Sequence, residues 1–179
     1  RLKTQRWNRL TLDYPTNPVQ EKLTILLPIW NESLVIEKKL SDLNREYPFE
    51  TSLLVIDSAS DDDSLTKVKQ WIAQNEGTLS STQIIAMPER LGKTSAVMIA
   101  LDELAEDNGI IVMTDADATL MPGSLSRINQ WFSNPQIGAV GGTPQRAGEL
   151  VNERSHRDLY TLLRVGESSY DSTPFLEGS

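Results

Sequence analysis

Four short apolar runs, each followed by a stretch of helical periodicity, constrain this chain more than anything else in it. "KLTILLPI" (22–29), "SLLVID" (52–57), "TQIIAM" (82–87) and "GIIVMTD" (109–115) read as strands. Helices are predicted over 33–45, 64–75 and 92–107, and a fourth is opened by Pro122, where a first-turn proline belongs. Ser33 is a candidate cap for the first, with Val35, Ile36, Leu40 and Leu43 on one face. "IGAVGG" (137–142) reads as a fifth strand. Strand-then-helix units with nearly all-apolar strands predict an α/β fold, a mainly parallel sheet with helices on both faces.

In such sheets ligands bind outside the carboxyl ends of the strands. The unusual polar residues fall there: "PIWNES" after the first strand, "DSASDDD" after the second, "MPERLGK" after the third and "TDADAT" at the fourth. Asn31 and Glu32 suit a helix start as well as a site. Asp57, terminal to "LLVI", can accept hydrogen bonds from a base or ribose, although Asp is also a common turn residue. Asp61, Asp62 and Asp63 are explained by capping and solvation. Arg90 and Lys93 flank Gly92 ahead of a helix, a place for phosphate oxygens.

Asp115 and Asp117 pose the sharpest question. Two carboxylates at the end of a buried strand repel each other and lose hydration. They are either solvated turn residues or the holders of a cation. On extended chain, residues at i and i+2 point the same way. An all-oxygen pair selects Mg²⁺ or Mn²⁺, bound through one or two carboxylates plus substrate phosphates.

Composition narrows the rest. With 17 Lys+Arg against 25 Asp+Glu the formal charge is -8, which argues against a nucleic-acid partner. There is no cysteine, so disulfides and thiolate chemistry are excluded. The longest apolar run, "LTILLPIW", falls far short of the ~20 residues of a membrane helix. Residues 1–21 read as a basic arm, either solvated or lying on anionic lipid beside a spanning helix outside this chain. Residues 22–179 are expected to form the second unit, a nucleotide-sugar-binding domain that continues beyond the carboxyl end of this chain.

The stretches "LLPIWNES", "VIDSASDDDS", "LGKTSAVMIAL", "TDADATLMPGSL" and "IGAVGG" resemble, in order and spacing, the family 2 glycosyltransferases of the GT-A fold. Within that family the likeness is greatest to processive, membrane-anchored synthases of the chitin, hyaluronan or poly-N-acetylglucosamine type. The resemblance implies an inverting, metal-dependent transfer from a nucleotide-sugar, expected to be a UDP-sugar, to a saccharide or lipid acceptor. It implies that Pro28, Asn31 and Glu32 line the nucleotide pocket, that Asp57 contacts uracil, and that Lys93 lies near the diphosphate or base. The resemblance makes Arg90 a further expected phosphate contact. On the same resemblance Asp115 would face the sugar-nucleotide and Asp117 would hold the metal, with Asp115 as its second carboxylate. It also implies a place on the cytoplasmic face of a membrane, the alternative being the cytoplasm.

Two departures stand out. Ser58 occupies a position where the family often has a second Asp. The family's catalytic base and its "QxxRW" have no match here and are expected beyond Ser179. The rival readings are a nucleotide-sugar-binding or regulatory domain without turnover and an interaction module of a membrane assembly. His156, the single histidine, reads as an exposed or acceptor-side residue. Of the tryptophans, Trp30 is the one left open as more than a packing residue.

Overall fold

A computed structural model describes residues 21–46, 50–104 and 109–142. The basic arm, apart from Glu21, and the segment bearing His156 lie outside the described residues. Within them the order is β1 (Leu23–Ile29), α1 (Ile36–Glu46), β2 (Thr51–Asp57), α2 (Ser64–Gln74), β3 (Ser81–Ala86), α3 (Lys93–Glu103), β4 (Ile110–Met113) and α4 (Ser124–Phe132). The strands form one parallel sheet in the order β3-β2-β1-β4. Among the described residues no helix is long and apolar enough to cross a membrane.

Strand order dictates where the helices go. The chain steps from β1 to β2 to β3 in one direction, then returns across the sheet to β4 on the far side of β1. Right-handed crossovers put α1 and α2 on one face and, once the direction reverses, α3 on the other. Alternation along the strands matches this. Ile25, Leu27, Ile29, Leu53 and Val55 pack with α1, Val68 of α2 and Leu125 of α4, whereas Leu26, Leu54 and Ile56 meet Ala96 and Ala100 of α3. The small side chains at 96 and 100, both fully buried, let α3 lie close to β1 and β2.

The central strands are buried on both faces, as nearly continuous apolar runs require. The flanking strands are not. β3 is largely exposed, and β4 alternates, with Ile111 and Met113 turned outward. The predicted fifth strand does not form. Residues 137–142 pair with no described strand, and Gly138 and Ala139 are exposed. Apolar composition alone does not make a strand, because the backbone still needs a ladder partner.

Element ends shift for local reasons. α1 begins at Ile36, three residues after its predicted start, because Glu32–Val35 form a preceding turn in which the Glu32 carbonyl accepts from the Val35 and Ile36 amides. Ser33 is not its cap: the Ser33 amide donates instead to Asp62 Oδ2 at 3.1 Å. α4 starts after Pro122, because Gly123 sits in the left-handed region at φ 74. Asn129 of α4 fixes the entry to β1, its side-chain amide exchanging hydrogen bonds of 3.1 and 2.7 Å with the Glu21 backbone.

β4 enters the sheet through Gly109. The Ile110 amide donates to the Lys22 carbonyl at 2.8 Å, and a Cβ on residue 109 would lie 2.6 Å from that same oxygen. Gly109→Ala should therefore destabilise the fold by about 1–3 kcal/mol through overpacking. Ile25→Ala, which empties a fully buried position of the central strand, should remove about 2–5 kcal/mol. Urea unfolding measures both.

Candidate functional site

β1 and β4 part company at the carboxyl edge of the sheet. The Leu26 carbonyl accepts from the Thr114 amide on the β4 side, whereas the Ile29 carbonyl accepts from the Ser58 amide on the β2 side. Pro28, in phase with Leu26, therefore directs its ring nitrogen toward β4. It has no N–H to offer, and the ladder with β4 ends there. The gap lies at the point where strand order reverses, the place where α/β sheets bind ligands.

A cleft of about 280 Å³ opens at this gap. β1 and its loop supply Pro28, Ile29, Trp30 and Glu32, and the β2 loop supplies Ser58. The segment entering α3 adds Arg90, Gly92, Lys93 and Ala96, and the segment after β4 adds Asp115, Ala116 and Asp117. Four loops thus share one space. Of the residues singled out from sequence, Pro28, Glu32, Arg90, Lys93, Asp115 and Asp117 line it.

Asn31 and Asp57 stand outside the lining. Asn31, at φ 54, ties two loops together: its side chain donates to Asp61 Oδ1 at 2.6 Å and accepts from the Asp61 amide at 3.0 Å. Asp57 is 2% exposed, with Oδ2 accepting from the Ser60 amide at 3.2 Å. Its Oδ1 and the neighbouring Ser58 Oγ are buried with no hydrogen-bond partner among the described residues. Such orphans are costly unless a bound group satisfies them.

Asp115 and Asp117 reach the cleft by a different route from the one expected. The strand ends at Met113, and Asp115–Ala118 form a turn in which the Asp115 carbonyl accepts from the Ala118 amide at 3.3 Å. The turn, not an extended chain, gives both carboxylates to one space. Lys93 Nζ donates to Asp115 Oδ1 at 2.5 Å, with half of the lysine side chain exposed. Arg90 lies over Trp30, its guanidinium carbon 3.3 Å from the ring centroid, so the indole supports one cation of the cleft wall. Trp30 is the platform for that arginine.

Negative charge exceeds positive in the cleft. Burial and the nearby Asp117, Asp115 and Asp62 push the Glu32 carboxyl above its ordinary range. Behind the cleft Lys39 of α1 is 2% exposed and donates to Thr114 Oγ1 and the Ala118 carbonyl, both at 2.7 Å. Burial lowers its pKa, while Asp42, Asp115 and Asp117 oppose that shift. Sequence reading passed over Lys39, yet it sits in the stripe of Ile36, Leu40 and Leu43, where a lysine at an apolar position is the signal.

The donor set suits a hard divalent cation. Asp115 and Asp117 offer only carboxylate oxygens, the chemistry of Mg²⁺ and Mn²⁺ sites. Among the described residues no three His, Asp or Glu side chains are grouped to hold a metal by themselves. The remaining ligands would come from the bound molecule, as the phosphates of a nucleotide provide.

The model of glycosyl transferase family 2 matches residues 24–177. The chain is 24% identical over 146 residues to the poly-beta-1,6-N-acetyl-D-glucosamine synthase of Staphylococcus epidermidis, covering 80% of this chain and 34% of that protein. It is 26% identical over 133 residues to an N-acetylglucosaminyltransferase of Rhizobium leguminosarum bv. trifolii, covering 70% of each. Its fold superposes on the mannosyltransferase of Pyrobaculum calidifontis, solved in complex with GDP-Man and Mn²⁺, with a TM-score of 0.75 and 32% identity. That match covers 97% of this chain and 47% of the mannosyltransferase. The chain thus spans about a third of the staphylococcal synthase and about half of the archaeal enzyme.

Two pH effects follow from the loop carboxylates. Burial raises the Asp62 pKa, but hydrogen bonds from Ser64 and Ser33 outweigh it and hold the group at about 2 against an ordinary 3.8. Its stabilisation is therefore present above pH 3.8 and lost as pH falls toward 2. Asp62→Ala should lose about 1–3 kcal/mol at neutral pH and approach the wild type in strong acid, by urea titration. Glu32 has the opposite sign. Its raised folded pKa makes ionisation unfavourable, a penalty absent below 4.5 that grows as pH rises through it. Glu32→Gln should unfold at a higher temperature than the wild type near neutral pH, and the two should coincide in acid.

Proposed function

This chain belongs to glycosyl transferase family 2, and on that footing we propose that it binds a nucleoside diphosphate sugar in the β1–β4 cleft and transfers the sugar to a saccharide or lipid acceptor with a divalent metal ion. One observation carries the reading: Asp115 and Asp117, Lys93, Arg90 and Glu32, drawn from loops after three different strands, line a single cleft at the topological switch point.

The cleft divides by chemistry. At the β2 end Ser58 Oγ, orphaned and on the cleft wall, is both donor and acceptor, while the orphaned acceptor Asp57 Oδ1 is buried outside the lining. A base that offers a ring N–H beside a carbonyl oxygen, uracil or guanine, would pair with Ser58 Oγ at the cleft wall and with Asp57 Oδ1 once its binding opens the β2 end. The wider family resemblance favours UDP-sugars, and the archaeal mannosyltransferase holds GDP-Man.

Diphosphate oxygens suit the start of α3. Gly92, at φ 86, is the residue before its first turn, and no side chain caps that end. The free amides and the positive end of the helix dipole favour an anion there, with Lys93 and Arg90 adding charge. The Lys93–Asp115 pair is half exposed and contributes no more than about 1 kcal/mol, so phosphate can displace it without much loss.

A metal ion held by Asp115 and Asp117 would neutralise charge on the departing diphosphate. Lys93 and Arg90 would hold the same group in place, and the apolar floor of Pro28, Ile29 and Ala96 would exclude water from it. Inversion at the sugar carbon further requires a carboxylate to take the acceptor proton. No described residue is assigned that part.

A thermal-shift titration with UDP, GDP and CDP, each with and without Mn²⁺, tests the reading. Nucleotide at a hundred times its dissociation constant adds about 2.7 kcal/mol, a rise of roughly 5 to 11 °C for a domain of this size. UDP or GDP should stabilise the chain in the presence of Mn²⁺, CDP should not, and Asp117→Asn should abolish the shift. No shift with any nucleotide overturns the donor site.

A further inference from the structure

Lys39 is the largest fully buried side chain among the described residues, and it carries a charge. It projects from the core-facing stripe of α1 toward the segment after β4, where its ammonium makes two hydrogen bonds of 2.7 Å. One goes to Thr114 Oγ1 and the other to the Ala118 carbonyl. These residues bracket Asp115–Asp117, one immediately before the pair and one immediately after. One helical turn on, Asp42 Oδ2 accepts from the Leu120 amide at 2.8 Å, while its other oxygen pairs with Arg45. α1 thus grips the segment 114–120 through two neighbouring side chains.

We propose that Lys39 is the positioning residue of the metal-binding turn, tying Thr114 to Ala118 so that Asp115 and Asp117 are held together toward the cleft. Without it, two like-charged carboxylates on a turn closed by one 3.3 Å backbone hydrogen bond have every electrostatic reason to separate. A buried ammonium spanning the turn opposes that separation from behind, leaving the carboxylates' cleft-facing oxygens to a cation. The role is steric and directional, because the hydrogen bonds run to a hydroxyl and a backbone carbonyl and not to the carboxylates themselves. Supporting contacts behind metal ligands are worth about 10–100-fold in affinity. The inference rests on the donor-site reading given above.

Charge alone predicts the opposite sign, which makes the idea testable. An ammonium near a cation site repels the cation, so removing it should tighten metal binding. If Lys39 positions the turn, removing it should weaken binding. The test uses the full chain as wild type, Lys39→Met and Thr114→Val, with free Mn²⁺ followed by electron paramagnetic resonance in the presence of UDP or GDP. Near-ultraviolet circular dichroism and urea unfolding report whether each variant is folded. Both variants should be folded and should bind Mn²⁺ at least tenfold more weakly than the wild type. Unchanged or tighter Mn²⁺ binding in a folded variant overturns the proposal. Should Lys39→Met fail to fold, Thr114→Val, which keeps the lysine and replaces the hydroxyl by a methyl of similar size, decides alone. A wild type that binds no Mn²⁺ with either nucleotide overturns the donor-site reading and this inference with it, whereas wild-type binding with unaffected variants sinks the positioning role only.

Discussion

The hydrogen-bond pattern of β1 is the constraint from which the site follows. β1 serves β2 on one side along its whole length and β4 on the other only as far as Leu26. Pro28 cannot donate to a strand on the β4 side, so the two strands diverge there and their loops enclose a space. The same reversal of strand order sends α3 to the opposite face, and that brings its uncapped first turn to the rim of the cleft. An uncapped helix start and a carboxylate pair meet because β1 and β2 lie between the strands that lead to them. This is the GT-A arrangement of the family.

Electrostatics supplies the second layer. Glu32, Asp115 and Asp117 crowd one cleft, and burial together with that crowding raises the Glu32 pKa. The described cations are placed with different duties. Lys93 and Arg90 face the cleft and remain accessible to phosphate, with Arg90 held flat on Trp30. Lys39 faces away from it and is occupied by Thr114 and Ala118. Loops that carry such charge need fixing at their bases. The Asn31–Asp61 and Asp62–Ser33 hydrogen bonds do this between the first two loops, as α1 does for the fourth. Ala59, a non-glycine residue at φ 57, lies in the same region, where strained backbone tends to collect.

Much of the fold was legible because apolar runs and helical stripes are local signals. The four strands and four helices appear where periodicity puts them, with Leu40, Leu43 and Val68 in the core. "IGAVGG" was misread because it carries strand composition without a described partner, and composition does not supply one. The aspartate pair was rightly linked to the cleft but through the wrong backbone, since a turn at Asp115–Ala118 replaces the extended chain. The acidic run at 61–63 was read as capping and solvation, but the N-cap Asp63 makes no side-chain cap hydrogen bond, and Asp61 and Asp62 tie their loop to Asn31 and Ser33. Lys39 escaped notice because adjacent lysines on an amphipathic helix look like a solvated face. Only the phase of the second one, matching Ile36 and Leu43, points inward.

By itself, then, the sequence determined the alternation of strands and helices and the chemistry carried by each connecting loop. Both are written in spacings of a few residues. The tertiary structure decided that β4 lies beside β1 and not beside β3, and that Asn31 and Asp62 brace loops. It also decided that a lysine from the first helix grips the turn after the fourth strand. Those outcomes depend on pairings between residues roughly 30 to 90 positions apart. They are set by the handedness of crossovers and the burial of whole faces, and no local pattern in the chain encodes them.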